Sequence, residues 1–168
     1  LIEDLASQPA ALELAQRIQE GVQRLNVLVS NTLTFSRDLR PNPTELDLWA
    51  FWEEARRAAN LSEHIHWHNA IPRKATWWAD PGMLRQVAVN LLQNAERALE
   101  DRPDPRLSLE ATLESVDRVP HWHVVLEDTG RGISAEALGR IFDPFFSTFG
   151  NGTGLGLAVS HRILQAHG

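Results

Sequence analysis

Residues 150–160 read GNGTGLGLAVS, with Gly150, Gly152, Gly154 and Gly156 alternating ahead of an apolar run. Alternating glycines strip side chains from one short loop and leave a row of bare backbone N–H groups, which suits an anion and above all a phosphate. The run from Leu155 onward reads as a helix, so the N–H groups of Gly154, Leu155 and Gly156 would sit at its positive dipole end. Two common phosphate loops fail here. A Walker loop needs lysine and a hydroxyl after its last glycine, whereas Gly156 is followed by Leu157. The dinucleotide fingerprint needs Gly-x-Gly-x-x-Gly after a strand, and no register of these glycines supplies it. The plain alternative is a flexible surface loop.

Composition narrows the chemistry. The 168 residues are 43% hydrophobic and 23% charged, as in an ordinary globular domain, and the formal net charge is −6. An acidic balance argues against a nucleic-acid module. Lys74 is the one lysine among sixteen basic residues, so phosphate binding must lean on arginine, backbone amides or a metal ion. The absence of cysteine excludes disulfides, thiolate metal sites and cysteine nucleophiles. No apolar stretch has the length of a membrane span and no signal peptide opens the chain, so a cytoplasmic setting without membrane contact is expected. The opening LIEDLASQP reads as the end of an amphipathic helix and ILQAHG as a helix stopped by a C-cap glycine, so a segment of a longer protein is expected.

Two further stretches bear on the phosphate. In LRQVAVNLLQNAERAL, Asn90, Asn94 and Arg97 fall at i, i+4 and i+7, a polar stripe on an otherwise apolar helix that starts at Asp80-Pro81 and runs to about Leu99. Asparagine is a poor interior helix residue, so the pair marks either a site or a bond to a neighbouring loop. An amide oxygen is a suitable hard ligand for magnesium, which also takes phosphate oxygens. In VVLEDTGRGI, Asp128 shares the parity of Trp122, Val124 and Leu126 on a strand and therefore needs a donor. An Asx turn onto Thr129-Gly130 is one answer. The other is the exocyclic amino group of a purine, with Gly130 and Gly132 letting the chain pass close to the ring.

The remaining patterns give an α/β sandwich with one sheet face covered by helices. Residues 48–60 suit a short helix with Trp49 and Trp52. Strands are expected at 64–71, 74–79, 107–114 and 121–128, with a turn at 117–120. On the long helix the apolar face is read as Leu84, Val87, Leu91, Ala95 and Ala98. Ahead of an RPNP break at 40–43, Leu14, Ile18, Gly21, Leu25, Leu28, Thr32 and Phe35 recur at alternating spacings of four and three, a heptad seam broadened by Ala15, Val22 and Val29. Such a seam either packs on its own domain or seeks a partner helix, preferably from a second copy of the chain.

In this order the stretches resemble the catalytic domain of two-component sensor histidine kinases. NLLQNAERA is similar to the asparagine box, EDTGRGI to the first glycine box, IFDPFFST to the phenylalanine box and GNGTGLGLAVS to the second glycine box. VSNTLTFSRDLRP resembles the end of the second helix of the dimerisation and phosphotransfer bundle. The resemblance implies a Bergerat-type two-layer α/β sandwich over residues 41–168, closed in relatives by a hairpin after the last helix, and a partial dimerisation hairpin over 1–40. It implies Asn94 as the magnesium ligand, Asn90 as the polar residue one turn earlier, and Arg97 near the phosphates. Asp128 would read the adenine amino group beside Gly130, Gly132 and Ile133. Residues from about Ser134 to Thr153 would form a lid anchored by Phe142 and Phe146, with Phe149 standing where relatives often carry lysine. Gly152, Thr153, Gly154, Leu155 and Gly156 would hold the polyphosphate of ATP.

The implied activity is transfer of the γ-phosphate of Mg-ATP to a histidine, for relay to a response-regulator receiver domain, within a homodimer. None of the seven histidines stands in the family's His-Glu or His-Asp motif, so the acceptor is expected outside this chain and self-phosphorylation is not expected. Related ATPases of the same fold place glutamate where Asn90 stands, and asparagine cannot serve as a general base. The alternatives are such an ATPase or a dimerisation module with a degenerate nucleotide site. His64, His66 and His68 alternate along one expected strand, and His121 and His123 along another. They could share a metal only if those strands were neighbours; a solvated strand face is the other reading.

Overall fold

A computed structural model describes residues 9–150 and 152–168, so the opening LIEDLASQ and Asn151 lie outside the described residues. The chain divides between Asp38 and Leu39 into two compact units. The first holds α1 (Pro9–Ser36), an uninterrupted helix. Leu14, Ile18, Val22, Leu25 and Val29 of its apolar stripe are all exposed, while the side chains of Leu28 and Phe35 lie outside the described set.

The second unit runs β1 (Thr44–Asp47), α2 (Leu48–Ala59), β2 (His66–Asn69), β3 (Thr76–Ala79), α3 (Pro81–Leu99), β4 (Arg106–Val116), β5 (Val119–Asp128), α4 (Ala135–Leu138) and α5 (Gly156–His167). Its helices start where the sequence supplies acceptors. Asp47 caps α2 by accepting from Ala50 N at 2.8 Å, and Asp80 caps α3 by accepting from Met83 N at 3.0 Å, with proline in the first turn. Asn60 ends α2 in the left-handed region at φ 54°.

β1 pairs antiparallel with β3, from Thr44 opposite Ala79 to Asp47 opposite Thr76. β2 runs parallel to β4, and β4 antiparallel to β5. Asp117 and Arg118, at φ 51° and 67°, make the two-residue turn between β4 and β5, a conformation that matches the strands' twist. Trp122 Nε1 of β5 donates to Thr76 O of β3 at 2.8 Å and ties the two sheets together. One continuous core joins Leu48, Trp52 and Ala55 of α2, Leu84, Ala88, Leu92 and Leu99 of α3, and Leu107 and Leu109 of β4.

Several sequence expectations are corrected. β1 falls just after the RPNP break, in four residues to which the sequence assigns no element, and β2 is shorter than 64–71, leaving His64 before it. The hairpin strands extend to Val116 and start at Val119, because the turn needs only two residues. The buried positions of α3 are Leu84, Val87, Ala88, Leu92, Ala95 and Leu99, with Leu91 and Ala98 half-buried. The buried stripe is wider and rotated because α3 packs against the sheet, α2 and α5, whose Val159 and Ile163 are fully buried.

Candidate nucleotide site

α3 and α5 form the two walls. Asn90 Nδ2 donates to Gly156 O at 3.1 Å and to Ser160 Oγ at 3.4 Å, and Ser160 Oγ donates back to Gly156 O at 2.9 Å. Asn90 thus makes the bond to a neighbouring segment that its sequence allowed, and it does so at the mouth of the glycine loop. Ser160, 3% exposed, completes this network and was not singled out by the sequence. Its signal was there: four residues past Gly156, on the apolar face of the last helix.

α3 continues past this contact. Asn94 lies one turn beyond Asn90, about 6 Å along the axis at 1.5 Å per residue. Its amide is half-buried and has no hydrogen-bond partner among the described residues. Arg97, almost one turn further, is exposed with its guanidinium unengaged among them. Facing this end of α3, the first turn of α5 has no side-chain cap. Thr153 Oγ1 accepts from Leu155 N at 3.4 Å, so the helix's orphan donors run over Gly156, Leu157 and Ala158, slightly later than Gly154–Gly156. Uncapped amides at a positive dipole end, flanked by a free carboxamide and a free guanidinium, suit a polyanion with its counter-cation.

The turn after β5 makes the third side. Asp128 Oδ1 accepts from Gly130 N at 2.8 Å, which is the Asx turn. The carboxylate is exposed at the strand's end and its other oxygen has no partner among the described residues. Thr129 fixes the turn from behind: its Oγ1 accepts from Arg106 N at 3.0 Å and donates to Asp104 O at 3.2 Å. Asp104 itself is held below the usual carboxylate range by the Arg106 guanidinium. Arg131 N donates to Ala98 O at 3.1 Å, pressing the turn onto α3. A Cβ on Gly130 would lie 2.7 Å from both Ala98 Cβ and Ala98 O, so only glycine fits. Gly132 has φ +69°, and Ile133 beside it is 54% exposed at the rim.

A family model described as "Histidine kinase-, DNA gyrase B-, and HSP90-like ATPase" matches residues 79–168, which span every wall of this cleft. The chain belongs to that family. It is similar to the sensor histidine kinase ZraS of Salmonella typhimurium, 42% identical over 163 residues, covering 93% of this chain and 33% of the relative. It also resembles the signal transduction histidine-protein kinase AtoS of Escherichia coli K12, 29% identical over 171 residues, covering 99% of this chain and 27% of that one. The chain therefore spans about a third or less of these relatives. Among solved structures, the Acinetobacter baumannii histidine kinase AdeS superposes with a TM-score of 0.63 at 26% identity, covering 94% of this chain and 71% of that one. The Bergerat-type fold and the sensor-kinase type of ATP-binding catalytic domain are thus shown.

In this histidine kinase-like domain the segment between α4 and the glycine loop folds back on α5. Phe142 stacks on His161 of α5, with ring centroids 4.9 Å apart and planes at 29°. Arg140 lies over Phe146 at 4.4 Å and Arg131 over Phe149 at 4.3 Å. Phe145 N donates to Gly154 O at 2.9 Å, and a Cβ on Gly154, whose φ is +68°, would strike the Phe145–Phe146 backbone. Gly152 packs as closely on the Ser147 hydroxyl, which donates to Phe149 O. These glycines therefore let two loop strands touch, in addition to baring amides. Gly152 and Gly154 thus have a packing role that a plain flexible surface loop does not require, whereas Gly150 has open space around it. The histidines stay apart. β4 separates β2 from β5; His68 stands opposite Ser108 and His123 opposite Thr112, so the strands are not neighbours. Among the described residues no cluster of three metal-ligating side chains forms.

Proposed function

We propose that this domain binds Mg-ATP between α3, the Asp128 turn and the first turn of α5, and serves as the catalytic part of a sensor histidine kinase. The observation that carries the reading is the Asn94 amide: half-buried, without a partner among the described residues, one turn past the point where α3 is bonded to the uncapped start of α5. A single protein oxygen beside phosphate oxygens and waters is the donor set magnesium accepts, so Asn94 fits the ion. When bound, the ion would neutralise charge on the polyphosphate. The amides of Gly156–Ala158 and Arg97 would hold the phosphates, and the free oxygen of Asp128 would accept from the adenine amino group. Ile133 and the Phe142–Phe146 segment would cover the nucleotide.

The phosphoryl acceptor in this reading is a histidine outside the chain, and the next acceptor is a receiver-domain aspartate. The exposed stripe of α1 fits residues 1–40 as part of a dimerisation bundle, with 41–168 as the catalytic domain, acting in the cytoplasm. Thermal unfolding with ADP, with and without magnesium, tests the reading. A ligand that binds only the folded state at a hundred times its Kd adds about 2.7 kcal/mol. The parent should gain stability with ADP and gain more with magnesium. Asn94→Ala should keep the ligand-free Tm and lose the magnesium-dependent part. An unchanged magnesium effect in that variant would remove Asn94 as the ligand.

A further inference from the structure

His167, at the far end of α5 from the glycine loop, has both ring nitrogens engaged. Nδ1 lies 2.8 Å from Ile163 O, and Nε2 lies 3.1 Å from the backbone N of Asp80. A carbonyl can only accept and an amide N–H can only donate, so Nδ1 carries the proton and Nε2 is the acceptor. This bond spans 87 residues and reaches the residue that caps α3. The Asp80 carboxylate is already occupied: it accepts from Asn42 N at 2.9 Å and from Met83 N at 3.0 Å. The imidazole therefore takes the one backbone donor of Asp80 that its own cap does not satisfy.

α5 is thus bonded to α3 at both ends. The start of α5 meets α3 at Asn90, and its last residue meets α3 at Asp80, so the helices run antiparallel. The two attachment points are ten residues apart on α3 and eleven on α5, about 15 Å and 17 Å at 1.5 Å per residue. Those lengths match closely enough for both bonds to form without bending either helix. The face between them is built from Ala158, Val159 and Ile163 against α3, and apolar contact alone is non-directional. Directional bonds at the two ends set how far α5 slides and tilts. With the slide fixed, Asn94 projects one turn past the orphan amides of α5.

We propose that His167 is a positioning residue for the nucleotide site, acting through α5 from about 17 Å away. Losing its bond removes the directional tie between the far end of α5 and the cap of α3, so that α5 can swing about Asn90 and carry the Gly156–Ala158 amides out of register with Asn94. The inference rests on the nucleotide site proposed above. The test uses the whole chain and Mg-ADP, with isothermal titration calorimetry at a temperature where every variant is folded. His167→Ala should weaken Mg-ADP binding about 3- to 10-fold, the worth of one ordinary hydrogen bond. His167→Gln, whose amide can donate toward Ile163 O and accept from Asp80 N, should recover most of the loss. Equal affinity in parent and His167→Ala would overturn the proposal, leaving only a helix-end contact. A glutamine variant no better than alanine would overturn the hydrogen-bond account.

Amide hydrogen exchange in the parent gives a second measurement that needs no variant. The Asp80 N–H should be protected, and exchange at the rate of an open amide would equally overturn the bond. If the parent itself fails to bind Mg-ADP, the nucleotide reading falls with the positioning role, while Asp80 protection still reports whether the two helices are stapled.

Discussion

Gly154→Ala isolates what the glycine loop does. Gly154 sits at φ +68°, where a side chain is disfavoured, and its added Cβ would lie 2.6 Å from Phe146 N and 2.7 Å from Phe145 Cα. Those neighbours are backbone, so no rotamer change relieves the contact. A non-glycine residue held in the left-handed region costs about 1–3 kcal/mol, before any displacement of the Phe145–Phe146 segment is counted. None of the residues involved belongs to the main core cluster, so the global Tm should change little. The cost falls on the loop conformation that bonds Phe145 N to Gly154 O. If that conformation holds the phosphates, nucleotide affinity should fall about 5- to 150-fold, the same energy expressed as an equilibrium ratio. Gly150→Ala is the internal control, four residues away in the same loop, with open space around its Cβ and no positive φ. Calorimetric titration with Mg-ADP compares the two. Equal affinities would refute the reasoning, because the loop's backbone geometry would then be irrelevant to binding.

Two other outcomes follow from the geometry. Gly130→Ala forces a Cβ onto Ala98 and the Asp128 carboxylate, so the turn must leave α3; nucleotide binding should fall more than stability, by equilibrium titration beside urea unfolding. Asp80 provides a pH test. Its carboxyl is held below the ordinary 3.8 by backbone N–H donors, first Asn42 and then Met83. A carboxylate depressed on folding contributes stability in full above its unfolded value and loses it as pH falls through the folded one. Asp80→Asn keeps a capping oxygen without the titration, so urea unfolding should show parent and variant converging as pH drops below about 3.8. A gap that widens there would contradict the assignment.

The parts of the site that were legible in the sequence are those whose cause is local. Asp80-Pro81 announces α3 because cap and first turn lie in consecutive residues, and the asparagine stripe follows from helical spacing alone. The Asx turn at Asp128 is likewise a matter of two residues. β1 was not legible, because Thr44–Asp47 has no alternation to read and becomes a strand only through its ladder with β3. The face of α3 was read one position off at Leu91 and Ala98, since a second partner helix widens the buried stripe. His167 shows the limit most clearly. Beside a terminal glycine it reads as an ordinary helix end, while its partner is the peptide N–H of a residue whose own side chain gave no hint of it.

Asn90 shows how one side chain can serve architecture and chemistry together. Its Nδ2 faces Gly156 O, an acceptor, and a hydroxyl already committed as a donor to that same carbonyl. The position therefore demands a donor. A glutamate there, ionised at neutral pH, has no proton to give Gly156 O and would lose the bond between α3 and α5. Asn90 itself cannot act as a general base for water, and its amide is committed to the bond that joins the site's walls. On the proposed reading, a γ-phosphoryl group held along the orphan amides would meet no general base at Asn90, and its transfer would rest on positioning and charge toward an external acceptor.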